Sequence, residues 1–158
     1  MTEAAFETLL GRLQVGETVA ADELEVLEAD RFASDVVGLR WDTLSLERVT
    51  AHLDVDERHH QPYGIVHGGV WCAVVETIAS IGAALHAASN EELAVGVSNT
   101  TDFLRPHRQG RVLVEGVPLH VGRTQQLWQV VVSRESDGKP VARGQVRVQA
   151  VASDQVGG

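Results

Sequence analysis

Small or apolar residues alternate with polar ones along the last third of the chain. In residues 140–151 one face carries Ala142, Gly144, Val146, Val148 and Ala150, and the other carries Arg143, Gln145, Arg147 and Gln149. A period of two predicts a strand with one buried face. The same reasoning predicts strands over residues 94–104, 112–121 and 126–134, and the Ser-Asp-Gly-Lys sequence of residues 136–139 predicts a hairpin turn.

Residues 47–56 alternate in the same way, and we expect this strand to pair with residues 37–44. Residues 58–68 have no periodicity and contain a proline, two glycines and three histidines, which is typical of a loop. Residues 69–88 are apolar nearly all round. That pattern predicts a helix covered on every side by sheet or by a partner subunit.

The first 31 residues are acidic, and their apolar residues predict helices interrupted near Gly16. These residues are Phe6, Leu9, Leu10, Leu13, Leu24 and Leu27. We expect a helical extension over residues 1–35, the main domain over 36–151 and a flexible tail over 152–158. One long helix among about six strands predicts an α+β fold in which a curved antiparallel sheet wraps the helix. Such a sheet leaves an edge and a face that oligomerisation usually covers.

Composition narrows the class of protein. A chain of 158 residues with 44% hydrophobic content can form one domain with a full core. The single cysteine, Cys72, excludes intrachain disulfides and fits a reducing compartment. The N-terminus does not resemble a secretory signal, so a cytoplasmic location is expected. Residues 69–88 could span a membrane by length, but Glu76, Thr77 and Ser80 interrupt them and no lysine or arginine flanks them, which favours a buried helix.

The net charge of −9 makes nucleic acid a poor candidate partner. Residues 1–104 hold five arginines, no lysine and 18 acidic residues, whereas residues 105–158 hold eight basic and four acidic residues. A basic C-terminal third suits a small phosphorylated ligand. From charge alone, however, ordinary surface charge on strands is the better explanation.

Glu76 is the unusual residue of the apolar helix. A carboxylate there must be paired, exposed in a cleft or protonated. Ser80, one turn later, lies on the same face, so the hydroxyl and the carboxylate could together hold a water molecule. The alternatives are a salt bridge from Glu76 to another element and a hydrogen bond from Ser80 to the carbonyl four residues back.

His67, Gly68 and Gly69 directly precede the helix. Two glycines at a helix start leave the first backbone N–H groups accessible, and the helix dipole adds positive potential there. This arrangement can form an oxyanion hole. The glycines can also serve a tight turn, and the two explanations are compatible.

The run from His60 to Gly69, HQPYGIVHGG, followed by Glu76 and Ser80, resembles hotdog-fold acyl-CoA thioesterases. The nearest types are the PaaI-like enzymes of phenylacetate metabolism and the Arthrobacter-type 4-hydroxybenzoyl-CoA thioesterases. The resemblance extends over about residues 36–150 and includes the segments 102–106 and 121–124.

The resemblance implies a role for each residue of the motif. Glu76 would be the catalytic carboxylate, as nucleophile or as general base for water. Gly68 would donate its N–H to the oxyanion, Gln61 would contact the thioester, Ser80 would position water and His67 would hold the loop. Glutamine at 61 and glutamate at 76 favour the Arthrobacter type, because many relatives have asparagine and aspartate there.

The resemblance also implies an acyl-CoA substrate with an aromatic or short- to medium-chain acyl group. No separate cofactor is expected, because coenzyme A is part of the substrate, and neither a metal, nucleic acid nor a membrane is expected as a partner. Candidates for binding the CoA phosphates are Arg105, Arg108, Arg123, Thr124 and Arg147. Trp71, Phe103 and Trp128 are candidates for the acyl pocket, with a place in the core as the alternative. The expected assembly is a homo-oligomer, as a dimer of dimers.

Three other functions compete with this one. A hotdog-fold hydroxyacyl dehydratase would pair His60 with Glu76, although such enzymes typically have Pro-Gly where this chain has His-Gly-Gly. A metal hydrolase would use His52, His59, His60 and His67, which lack helical ligand spacing. A non-catalytic acyl-CoA-binding protein would leave Glu76 without a purpose.

Overall fold

The computed structural model describes residues 3–20, 23, 31–152 and 154. Within them the chain forms two α-helices and seven strands: α1 (Glu3–Gln14), β1 (Val19–Ala20), β2 (Leu39–Leu44), β3 (Val49–Val55), α2 (Gly68–Ala88), β4 (Glu92–Phe103), β5 (Gly110–Val121), β6 (Gln125–Arg134) and β7 (Pro140–Ala152). A π-helix, Phe32–Val37, precedes β2, and a 3₁₀ turn, Glu57–His59, follows β3.

The strands form one antiparallel sheet in the order β1-β2-β3-β5-β6-β7-β4. β4 follows α2 in the chain but lies at the far edge, beside β7. The helix packs across the sheet and contacts β3, β4, β5, β6 and β7. The predicted α+β architecture, with a long helix wrapped by an antiparallel sheet, is therefore confirmed.

The burial of side chains along the strands follows the predicted alternation. In β3 the apolar residues at every second position are buried, and in β7 the small and apolar positions from Ala142 to Val148 are buried. Ala150 is only half-buried, near the end of the strand. Across β3 and β5, Asp54 lies opposite Arg111, and the two hydrogen bonds from this guanidinium lower the pKa of the Asp54 carboxyl from its ordinary value.

Glycines allow α2 to lie close to the sheet. A Cβ added at Gly82 would lie 2.3 Å from the Trp128 ring, and one at Gly116 would lie 2.4 Å from Ile78. Trp128 is fully buried, and its indole N–H donates to the Gln126 side chain at 2.9 Å. Trp128 is therefore a core residue rather than a residue of the acyl pocket, the two alternatives that the sequence left open, because glycine at 82 leaves room for its ring against the helix.

The N-terminal region differs from the prediction in two places. After α1, which Leu9, Leu10 and Leu13 anchor in the core, the chain breaks at Gly16 as expected, but Val19–Ala20 then pair with β2 instead of continuing a helix. Val37, predicted to start a strand, instead ends the π-helix. Gly38, at φ 84°, terminates that helix, so β2 begins at Leu39.

Some predicted features lie outside the part of the chain that the structure describes. These are the side chain of Phe6, the helix containing Leu24 and Leu27, and most of the tail. β7 extends to Ala152, one residue into the predicted tail.

α2 begins at Gly68, one residue earlier than predicted, and is long and apolar enough to cross a membrane by length and composition. Half of its most apolar window is buried inside this single chain. Gly69 and Ala84 are exposed, and several residues between them are half-buried. One chain alone therefore leaves part of an apolar helix uncovered.

Gly82→Ala tests the packing of α2. The added methyl meets the Trp128 ring, so we expect the free energy of unfolding to fall by about 1–3 kcal/mol despite alanine's higher helix propensity. Urea denaturation measures this change. Ala84→Ser, at an exposed position of the same helix, is the control and should change stability by less than about 0.5 kcal/mol. Equal stability of the two variants would contradict the close packing.

Candidate active site

Hydrogen bonds hold the loop before α2 in a defined shape. Buried His59 accepts from the Asp56 N–H at 3.1 Å and donates from Nε2 to the Val37 carbonyl at 2.8 Å. The Gln61 N–H donates to the Ile65 carbonyl at 2.9 Å, which closes a small turn. Gln61 therefore projects from a fixed backbone rather than from a free loop.

Arg108 closes the tip of this loop. Its Nη1 donates to the carbonyls of Tyr63 and Gly64 at 3.1 and 2.8 Å. His60 bonds from Nε2 to the Arg108 carbonyl. One nitrogen of the Arg108 guanidinium is thus already used in binding the protein's own backbone.

His67 caps α2, and this changes the predicted oxyanion hole. Its Nδ1 accepts from the Gly69 N–H at 2.9 Å. Of the two glycine N–H groups predicted to be accessible, that of Gly69 is therefore occupied. Among the described residues, the Gly68 N–H meets no hydrogen-bond acceptor, and it lies at the positive end of the helix dipole.

A cavity of about 450 Å³ opens beside this helix start. It is lined by Gln61, Ile65, Val66, Gly68, Trp71, Phe103, Leu104, Arg105, Pro106 and His107. A Cβ at Gly68 would lie 2.6 Å from Phe103, so glycine lets the aromatic ring of β4 lie against the helix start. The structure thus brings Gln61, Gly68, Trp71 and Phe103 together around one space.

Glu76 lies in a second cluster, on the side of α2 that faces β4. Ser80 Oγ lies 3.4 Å from Glu76 Oε1, and Asn99 Nδ2 donates to Glu76 Oε2 at 2.9 Å. Thr101 in turn donates its hydroxyl to Asn99 Oδ1 at 2.6 Å. No described Lys, Arg or His forms an ion pair with Glu76, and Ser80 bonds to the side chain of Glu76 rather than to its carbonyl.

Sequence reasoning missed Asn99 and Thr101. The pairing of β4 with β7 shifts register between Gly96 and Ser98. Because of this bulge, Asn99 and Thr101 face the helix, and the residues next to them in the strand face away from it. A polar run in a predicted strand was the available signal, but it does not say which of its members face inward.

The two clusters are separate within one chain. Glu76 lies eight positions after Gly68 along α2, which corresponds to about 12 Å. Glu76 does not line the cavity that contains Gln61 and Gly68. A thioester carbonyl against Gly68 of one chain is therefore not in contact with Glu76 of that chain.

The candidate CoA-binding residues fall into three places. Arg105 lines the cavity and donates to the Pro140 carbonyl at 2.7 Å, and Arg108 borders an adjoining cavity of about 570 Å³. Arg123 and Thr124 lie by the β5–β6 turn, where Arg123 borders a cavity of about 260 Å³ at the other end of α2. Arg147 is exposed on β7, opposite Ser98. One chain does not bring all five together, because its helix is about 30 Å long.

The four histidines considered as metal ligands, His52, His59, His60 and His67, have local partners. His60 bonds to the backbone of Arg108, and His52 lies 2.7 Å from the Asp42 carboxylate. Within the described ranges, no three His, Cys, Asp or Glu side chains converge on a point where they could bind a metal ion. The structure therefore brings no observation in favour of the dehydratase or of the metal hydrolase.

Comparison with known proteins gives consistent matches. The model of the family described as Thioesterase superfamily matches residues 63–141, from the loop before α2 into β7. A Mycobacterium tuberculosis protein that is provisionally named an esterase is 45% identical over 115 residues, covering 72% of this chain and 81% of that protein. Its solved structure has a TM-score of 0.73 at 42% identity and covers 76% of this chain and 96% of its own.

Two other relatives carry more specific names. A Pseudomonas aeruginosa thioesterase, solved as a glutamine-to-alanine variant, has a TM-score of 0.74 at 32% identity and covers 81% of this chain and 93% of its own. The 1,4-dihydroxy-2-naphthoyl-CoA thioesterase 2 of Arabidopsis thaliana is 35% identical over 96 residues, which are 60% of each chain.

Arg108→Met tests whether this arginine holds the loop. Losing the bonds to the Tyr63 and Gly64 carbonyls should loosen the turn, so exchange of the amides that close it, those of Gln61 and Gly64, should accelerate by about tenfold or more. Exchange measured by NMR gives the answer. Arg123→Met, at the far end of α2, is the control and should leave these two amides unchanged. Unchanged exchange in Arg108→Met would show that the loop does not depend on this side chain.

Proposed function

This chain belongs to the thioesterase superfamily, and we propose that it hydrolyses acyl-coenzyme A to the free acid and coenzyme A with Glu76 as the catalytic carboxylate. It is a thioester hydrolase by its relatives, several of which are named thioesterases. The identity of the carboxylate and of the acyl group are the parts that we propose.

The state of Glu76 is the observation that carries the proposal. Glu76 is half-buried in an apolar helix. Its two carboxylate oxygens face the neutral amide of Asn99 and the hydroxyl of Ser80, and no described cation pairs with them. A carboxylate kept unpaired in such a place has a cost in stability and no structural partner that needs its charge. Attack on an acyl carbon, or removal of a proton from water held with Ser80, gives that charge a use.

Gly68 and Gln61 supply the complementary half of the reaction. As a thioester carbonyl becomes tetrahedral its oxygen gains negative charge, and a free N–H at a helix start stabilises that charge. The Gly68 N–H has this position and no other partner among the described residues. Gln61, on its fixed backbone in the same cavity, is close enough to the helix start to contact the thioester group.

The lining of the cavity supports the proposal of an aromatic or a short- to medium-chain acyl group in the substrate. Its wall is largely apolar and includes the buried Trp71 and the exposed Phe103 together with Gly68. One relative is named for an aromatic naphthoyl-CoA substrate. Arg105, at the cavity wall, and Arg108, at the next cavity, are the nearest candidates for the CoA phosphates.

A second copy of the chain completes the site in this proposal. β4 ends the sheet, and its residues are exposed except at Glu92, Ala94 and Thr101. A copy that pairs with this edge would also cover the exposed side of α2 and bring its own Glu76 near the cavity of the first chain. Arg123, Thr124 and Arg147 would then reach the substrate only from the partner. The dimer of dimers stays a prediction.

Glu76→Gln tests the carboxylate with little change in shape. We expect kcat on acyl-CoA to fall by about 10²–10⁴-fold, because an amide neither attacks nor takes a proton at neutral pH. Release of free thiol from benzoyl-, phenylacetyl-, short-chain and long-chain acyl-CoA, followed with a disulfide dye, measures turnover and ranks the acyl groups.

Glu115→Gln is the matched control, because that carboxylate is exposed on β5 and pairs with Arg48. It should keep the wild-type rate. Wild-type turnover in Glu76→Gln would overturn the role of this residue. No thiol release from any ester by the wild type would instead favour a non-catalytic acyl-CoA-binding protein or a dehydratase.

A further inference from the structure

The amide of Asn99 uses all its groups around Glu76. Nδ2 donates to Glu76 Oε2 at 2.9 Å and to the Cys72 carbonyl at 3.1 Å. Its Oδ1 accepts the Thr101 hydroxyl at 2.6 Å. A primary amide has two N–H donors, so both are committed to α2. Asn99 thus links the middle of β4 to one turn of the helix.

The partners of the amide fix its orientation. The Glu76 carboxylate and the Cys72 carbonyl are both acceptors, so only the NH₂ end of Asn99 can face them. The Thr101 hydroxyl then supplies the donor that Oδ1 needs. With a flipped amide, oxygen would face two acceptors. The three-residue relay from Thr101 through Asn99 to Glu76 therefore has one favourable arrangement.

The two oxygens of the Glu76 carboxylate have different surroundings. Oε2 is held by Asn99 at 2.9 Å, whereas Oε1 has only the longer 3.4 Å contact with Ser80. A Cβ at Gly96 would lie 2.7 Å from Oε1. Because residue 96 is glycine, the space that a Cβ would fill is open to Oε1. With only the long contact to Ser80, the lone pairs of Oε1 remain largely free of hydrogen bonds.

We propose that Asn99 is the positioning residue of the active site: held by Thr101, it anchors Glu76 Oε2 and presents Oε1 to the substrate. This inference rests on the proposed function of Glu76 and extends it by naming the residue that orients the Glu76 carboxylate. A glutamate side chain has three rotatable bonds, so without an anchor its carboxylate spreads over several rotamers. Rates are sensitive to displacements of about 1 Å in such groups.

A neutral anchor suits this task better than a cation. An arginine or lysine in place of Asn99 would also fix the carboxylate, but it would neutralise the charge that the reaction needs. The Asn99 amide orients the Glu76 carboxylate through one directed hydrogen bond and leaves the net charge of the carboxylate unchanged. The remaining described neighbours of the carboxylate, Ser80 and Gly96, are likewise neutral.

Isosteric variants of Asn99 and Thr101 test the relay through steady-state kinetics. Asn99→Leu removes the anchor and should lower kcat by about 10–100-fold while KM stays within about threefold, because the substrate still binds but the carboxylate is misaligned. Thr101→Val should lower kcat by about 3–10-fold, and Thr101→Ser, which keeps the hydroxyl, should restore it. Thr100→Val, on the opposite face of β4, is the control and should match the wild type.

The double variant separates positioning from general damage to β4. If Thr101 acts only through Asn99, then Asn99→Leu with Thr101→Val should be no slower than Asn99→Leu alone. Additive losses would overturn the relay. Wild-type kcat in Asn99→Leu, with Glu76→Gln inactive, would overturn the proposal for Asn99 and leave the proposed function standing.

A measurement without turnover distinguishes failure of this inference from failure of the proposed function. NMR of the Asn99 side-chain amide should show both N–H protons protected from exchange in the wild type. In Glu76→Ala the proton that Glu76 accepts should lose its protection, whereas the proton bonded to the Cys72 carbonyl should keep it. Protection of both protons in Glu76→Ala would overturn the anchor even in an active enzyme. If no acyl-CoA is hydrolysed but the protection depends on Glu76, the contact stands and the proposed function fails.

Discussion

The close packing of α2 on the sheet is the constraint on which the rest of the structure depends. Gly82 of α2 and Gly116 of β5 allow the helix and the sheet to approach closely, because any side chain at either position would overlap a neighbour. With the helix fixed in this way, Gly68 meets Phe103 at one end of β4 and Glu76 meets Asn99 near its middle. The same packing that buries the core thus determines where the only carboxylate of the helix can lie.

The edge strand connects the fold to the proposed chemistry. β4 provides the aromatic wall of the cavity and the amide that holds Glu76, yet its outer edge has no neighbouring strand among the described residues. Only half of the most apolar part of α2 is likewise fully buried within one chain. Both halves of the proposed site border this uncovered region, so a partner at the edge would bury apolar surface and assemble the site in one step.

Local patterns could be predicted from the sequence, whereas distances between elements could not. Alternation identified the main strands, and the spacing of Glu76 and Ser80 indicated one helix face, because these features depend on near neighbours in the chain. The bulge in β4 depends on pairing with β7, so the inward turn of Asn99 was not visible. The place of Trp128 in the core likewise depends on its contact with Gly82 of α2. The capping of Gly69 by His67 is local in the chain, but it depends on the conformation of the His67 side chain.

Mixing subunits of two inactive variants tests the shared site most directly. Glu76→Ala removes the carboxylate, and Gly68→Pro removes the N–H at a helix position that accepts proline, after His67 at φ −65° and ψ 136°. Phe103, whose ring the new side chain would meet, is exposed and can turn away. If each site uses two chains, dimers refolded from an equal mixture should recover about a quarter of wild-type activity. Activity no higher than that of the separate variants would contradict a site shared between subunits.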